Sequence, residues 1–119
     1  MSIIGLDHFQ VAIPHGHLDA ALAFYVDLLG FTRIAKPAEL SPEGAWLTQG
    51  GINLHLGEEA HFAPSRRAHP ALLVDNLLSL MDAAQAKGLE TRMDSGPQGF
   101  LRGSVFDPFG NRIELMQAL

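Results

Sequence analysis

A chain of 119 residues can bury one hydrophobic core of ordinary size but not two independent ones, so one domain is expected over 1–119. With 47% apolar and 18% charged residues and no apolar run of bilayer length, neither a transmembrane helix nor a disordered chain is expected. The lack of cysteine excludes disulfides and thiolate ligands and fits a cytoplasmic protein; the start carries no basic signal-like region, and a net charge of −5 argues against a nucleic-acid surface.

Residues 6–13 alternate, with Phe9, Val11 and Ile13 on one face and His8, Gln10 and Ala12 on the other, which predicts a half-buried strand. Pro14 and Gly16 end it. Leu18, Leu22, Tyr25, Leu28 and Leu29 recur at helical spacing over 18–29, and Gly30 stands where a left-handed C-terminal cap is expected. Residues 31–35 form the next expected strand, and 45–48 and 52–56 a hairpin across Gly50-Gly51. The stretch 58–67 lacks periodicity and reads as a linker.

The order then repeats. A strand is expected over 69–74, a helix through Leu77, Leu80, Met81 and Ala84 closed by Gly88, and a short strand over 89–93. A hairpin joins 100–106 to 112–116 around Asp107-Pro108-Phe109-Gly110, with proline and glycine where a tight turn favours them. Each half thus reads β-α-β-β-β, module one over about 3–57 and module two over about 68–118.

The repeat extends to polar residues. Asn53, within Ile52-Asn53-Leu54, follows His8 by 45 positions, and Glu114, within Ile113-Glu114-Leu115, follows His69 by the same interval. Residues two apart in a strand share a face, so His8, His69 and Glu114 each oppose the apolar side that packs on helices. Superposed halves would carry two imidazoles and a carboxylate towards one point, a ligand set suited to a divalent metal with open positions. Fe, Mn, Ni, Zn and Co all accept such nitrogen and oxygen donors. His55, two residues beyond Asn53 on the same face, is either a fourth ligand or a cavity-lining hydrogen bonder. Arg102 shares its face with Ser104 and Phe106; it is either an anion-binding group or a plain surface residue. Trp46 either lines a hydrophobic pocket or packs in the core. Histidines 15, 17 and 61 read as solvated loop residues.

Two segments carry a family resemblance. Phe24-Tyr25 with Leu29-Gly30-Phe31, and Asp107-Pro108-Phe109-Gly110-Asn111-Arg112-Ile113-Glu114-Leu115, resemble the hallmark segments of the vicinal oxygen chelate superfamily. That superfamily includes glyoxalase I, extradiol dioxygenases, fosfomycin-resistance transferases, methylmalonyl-CoA epimerase and bleomycin-resistance proteins. The resemblance implies an α+β fold of two tandem βαβββ modules, a curved, barrel-like mixed sheet with helices outside, usually in a homodimer. It also implies a divalent metal on His8, His69 and Glu114, with His55 as a further candidate, and a small substrate chelating that metal through adjacent oxygens. Gln10, Asn53, Trp46 and Arg102 are then the candidate substrate contacts, and Glu114 or an unliganded His55 the proton acceptor. Asn53 stands where glyoxalase I-like proteins carry a second glutamate. Gln10 stands where fosfomycin transferases tend to show a threonine. A small extradiol-type dioxygenase and a drug-sequestering protein of the bleomycin-resistance type are the other activities the resemblance admits.

Overall fold

The structure, a computed structural model, describes residues 1–119 and divides into two compact units, Met1–Phe62 and Ala63–Leu119. In the first unit β1 (Phe9–Pro14) leads to α1 (Leu18–Leu22), which continues as a π-helical segment, Ala23–Leu28. Then follow β2 (Thr32–Ile34), β3 (Ala45–Gln49) and β4 (Ile52–Glu59). The sheet order is β1-β4-β3-β2, with β1 parallel to β4 and the other pairs antiparallel.

Alternation in sequence becomes alternation in burial. Val11 and Ile13 of β1, Leu47 of β3, and Leu54 and Leu56 of β4 are buried together with Phe24 and Tyr25 of the helix. The helix expected over 18–29 is present, but its second half widens to π geometry, with the Leu29 N–H donating to Phe24 O, five residues back. This widening accompanies two adjacent buried aromatic rings, Phe24 and Tyr25, packed edge to face at 4.7 Å. Gly30, at φ 85°, closes the helix in the left-handed region, as the sequence predicts.

The second unit repeats the order with β5 (Ala71–Leu73), α2 (Leu77–Ala86), β6 (Thr91–Asp94), β7 (Phe100–Phe106) and β8 (Arg112–Ala118). Its sheet runs β5-β8-β7-β6, again with the first strand parallel to the last. Asn76 caps α2 by accepting the Ser79 N–H at 3.1 Å. Leu77, Met81 and Ala84 bury against the sheet face that carries Val105, Ile113 and Leu115. Gly103 of β7 lies so close under α2 that a Cβ there would stand 2.4 Å from Met81 Cε. The β7–β8 turn is built on Asp107, whose Oδ1 accepts the N–H groups of Phe109 at 2.9 Å and Asn111 at 2.8 Å.

Four strands start later than the sequence suggests, β2 at Thr32 and β6 at Thr91 in place of 31 and 89, and β1 and β5 with identifiable causes. β1 begins at Phe9, not Leu6, because Phe9 already lies opposite Leu54 and β4 itself starts at Ile52. β5 begins at Ala71, not His69, because Pro70 has no N–H to give a ladder. The two registers also differ: Phe9 faces Leu54, 45 residues on, whereas Ala71 faces Glu114, 43 residues on. The equal interval in sequence is therefore not an equal register, although a difference of two preserves which face each side chain takes.

Candidate functional site

In the second unit, cross-strand partners put Arg102, Ser104 and Phe106 of β7 on one face with Met116, Glu114 and Arg112 of β8. Arg92 and Asp94 of β6 join it opposite Ser104 and Arg102. This is the face turned away from α2. Glu114 is buried there, only 7% exposed, and both carboxylate oxygens are engaged. Oε1 lies 2.8 Å from His69 Nε2 and 3.5 Å from Arg112 Nη2, and Oε2 lies 3.4 Å from Arg102 Nη1.

The His69–Glu114 contact is chemically specific. His69 Nδ1 stands 2.7 Å from the carbonyl oxygen of Arg67, which can only accept, so the proton sits on Nδ1. In the neutral ring Nε2 is then a lone pair, and it faces a carboxylate oxygen, another acceptor. Only a positive centre between them, a proton or a metal ion, makes that approach favourable. The 2.8 Å separation is an ordinary hydrogen-bond distance, and the same nitrogen and oxygen are donor types that a divalent ion would accept. A ring nitrogen held by a backbone carbonyl on the side away from the metal is also the usual support of a ligating histidine.

In the first unit the corresponding face, turned away from α1, carries aromatic and uncharged groups. His8 Nδ1 lies 2.7 Å from Asp7 Oδ1, an acceptor, which again leaves Nε2 as the free lone pair. Asn53 does not point to an open space: its Nδ2 donates to Asp7 O at 3.2 Å and anchors the segment before β1. His55 is sandwiched, with His8 stacked at 3.9 Å and 17° on one side and Trp46 at 4.2 Å and 5° on the other. Burial and the neighbouring His8 hold the His55 ring below the usual imidazole range, so it is neutral at pH 7. Trp46 is half-buried and stacks on His55 with one side of its ring. Gln10 lies across Gly57, where any Cβ would collide with its amide. Beyond Trp46, whose partner on β2 is Ile34, an open hollow of about 430 Å³ is lined by Ile34, Lys36, Pro37 and Leu40.

The structure thus brings His69 together with Glu114 and Arg102, and His8 together with His55 and Trp46. No group of three or more His, Asp or Glu side chains in the chain is placed to hold a metal ion on its own. Histidines 15, 17 and 61 are exposed, although His15 lies 3.6 Å from Glu43 and 3.7 Å from Glu58. Three residues carry more than the sequence reading gave them. Asp7, adjacent to His8, fixes its tautomer. Arg112 shares the Glu114 face, and its position two residues before Glu114 was the available signal. Glu58, read as the start of a linker, is the last residue but one of β4 and accepts the N–H groups of Gly16 at 2.8 Å and Gly44 at 2.6 Å.

Comparison with known proteins gives concordant matches. The sequence profile of the family described as Glyoxalase/Bleomycin resistance protein/Dioxygenase superfamily matches residues 5–115. A Bacillus anthracis protein assigned to the glyoxalase family is 39% identical and superposes with a TM-score of 0.91, covering 100% of this chain and 98% of that one. A glutamate-to-glutamine mutant of the fosfomycin resistance protein FosX of Listeria monocytogenes, in complex with Mn(II) and 1S,2S-dihydroxypropylphosphonic acid, shares the fold at TM-score 0.83 with 16% identity, over 99% and 95% of the two chains. The antibiotic-binding protein TnmS3 of a Streptomyces species does so at 0.75 with 20% identity, over 100% and 99%. Glyoxylase I 4 of Arabidopsis thaliana is 38% identical over 56 residues, an alignment spanning 47% of this chain and 31% of that protein.

Proposed function

Since the chain belongs to the glyoxalase/bleomycin resistance protein/dioxygenase superfamily, we propose that it is a divalent-metal-dependent, glyoxalase-like enzyme of the vicinal oxygen chelate type, acting on a small substrate. The observation that carries this reading is the His69 Nε2–Glu114 Oε1 pair, 2.8 Å apart, with His69 Nδ1 already donating to the Arg67 carbonyl. We take His69 and Glu114 as two ligands and His8, whose Nε2 is likewise left free, as the third, and we expect the chain to act as a homodimer. Side chains Ile3, Ile4 and Leu6, all more than four-fifths exposed, are apolar surface that a second copy would cover, which supports the dimer. A cytoplasmic location, expected from the cysteine-free sequence, is part of this reading.

When bound, a divalent ion supplies Lewis-acid stabilisation of negative charge developing on a substrate oxygen. The protein does the rest. The side of the Trp46 ring away from His55 is the planar apolar surface for the substrate body, with Gln10 as the neighbouring polar contact; both faces of His55 are taken by stacked rings, and the Asn53 amide donates to Asp7 O. His55 stays neutral at pH 7 and accepts a proton from the carbon next to a substrate carbonyl, its stacked ring fixing the direction of approach. His55 is better suited to that role than to ligation. Two rings stacked at 3.9 Å and 17° direct their lone pairs along nearly parallel planes and do not converge on one ion. Arg102, on the Glu114 face, is the candidate substrate contact of the second unit.

The test is elemental analysis of protein purified without chelator, followed by turnover assays with hemithioacetals, catechols and fosfomycin. About one divalent ion per chain and turnover of one substrate class are expected, and Glu114→Gln should lose both. Metal-free protein that turns nothing over yet binds aromatic drugs would replace this reading with sequestration of the bleomycin-resistance type.

A further inference from the structure

Two guanidinium groups flank Glu114, and metal ligation by that carboxylate calls for neither. Arg112 is held by Ser104, whose Oγ accepts from Nε at 2.9 Å, and stands 3.7 Å from Asp94 Oδ2. Asp94 is already paired with Arg92 at 3.1 Å. The face therefore sets three arginines (92, 102, 112) against two carboxylates, Asp94 and Glu114, an excess of one positive charge within a chain whose net charge is −5.

Arg102 is the least satisfied of the three. Its Nε is buried with no acceptor, its Nη1 has only the 3.4 Å contact to Glu114, and its Nη2 donates to Ser95 O at 3.2 Å. Gly96 packs against its stem so closely that a Cβ there would lie 3.2 Å from Arg102 Cβ, which holds the guanidinium in place. A partly desolvated cation with incomplete partners is costly, and an anion at its fork relieves that cost.

We propose that the substrate carries an oxyanion, a carboxylate or a phosphoryl-type group, gripped by Arg102 with Arg112 as the second contact. This rests on the reading of the face as substrate surface, and it narrows the substrate to anions. A cation added beside Glu114 raises the positive excess and makes a neutral or cationic ligand still less suited to the face. Glu114 acts as the internal competitor: in the absence of metal its carboxylate occupies the fork that the substrate anion takes.

Titration calorimetry on chelator-treated protein, with inorganic phosphate and with oxalate as separate probes, tests this without metal or turnover. Glu114→Gln frees the fork and should bind at least one probe tenfold or more tighter than wild type. The probe that gains more identifies the class of oxyanion. Adding Arg102→Met should erase the gain, and Arg102→Lys, which keeps the charge but loses the fork, should erase most of it. A Glu114→Gln protein with no gain for either probe overturns the proposal, as does a gain that survives both Arg102 substitutions. Metal uptake by wild type, measured in parallel, separates the two readings. Gain without uptake leaves the anion site standing and removes the metal, and uptake without gain does the reverse.

Discussion

His8 and His69 show how a ring is committed before any ligand arrives. In each the Nδ1 proton is fixed by an acceptor, Asp7 Oδ1 or Arg67 O, so Nε2 is the nitrogen left for a cation. The supports are unequal, because the Asp7 carboxylate is 91% exposed and the Arg67 carbonyl is part of the chain itself. Asp7→Asn is therefore expected to weaken metal affinity about tenfold, the lower end for loss of a supporting partner, with binding retained. Competition titration against a chelator of known affinity checks it. His55→Gln should leave metal affinity within about threefold of wild type while removing turnover, because its partners are rings and not a shared ion. Residue types at this scale were legible in the sequence: His8, His69 and Glu114 were singled out by repeated position and strand parity. Their tautomers were not, because those depend on a backbone carbonyl and an adjacent side chain whose directions no pattern encodes.

At the scale of elements, the order of strands and helices along the chain and the helix ends follow from alternation, from helical spacing and from glycines at turns, whereas the pairing order within each sheet comes from the structure. The misplaced starts of β1 and β5 have local causes, the end of a partner strand and a proline. Glu58 shows what periodicity misses. It sits near the end of β4, 7% exposed, and its two oxygens join the β1–α1 turn at Gly16 to the loop before β3 at Gly44. Those two N–H donors hold its carboxyl below the usual carboxylate range. The stabilisation is thus complete above the unfolded-state value of about 4.5 and is lost as pH falls through the lower folded value. Glu58→Gln should cost about 2 kcal/mol at pH 7, the scale of a charge-assisted hydrogen bond. Its unfolding free energy should also fall less steeply between about pH 5 and 3 than that of wild type, to be read from urea titrations across that range. Gly44, at φ 74°, approaches Leu56 O so closely that no Cβ fits, and Gly44→Ala should cost on the order of 2 kcal/mol or more.

For the molecule as a whole, the chain separates its chemistry by half. The first unit contributes neutral aromatic surface and a free imidazole; the second contributes charge, with Glu114, Asp94 and three arginines on one sheet face. Composition alone, an acidic chain at −5, concealed that locally positive face, since cross-strand pairing and not sequence proximity gathers Arg92, Arg102 and Arg112. The exposed Ile3, Ile4 and Leu6 belong to the same scale. Replacing Ile3 and Ile4 by serine should shift the protein from dimer to monomer in sedimentation velocity at micromolar concentration, with the fold intact by circular dichroism. Anomalous diffraction from crystals of cobalt-loaded protein addresses the shared cation directly. A single peak within bonding distance of both His69 Nε2 and Glu114 Oε1 is expected. Fully loaded crystals with no peak there, and with His69 still hydrogen-bonded to Glu114, would show that a proton occupies the place assigned to the metal.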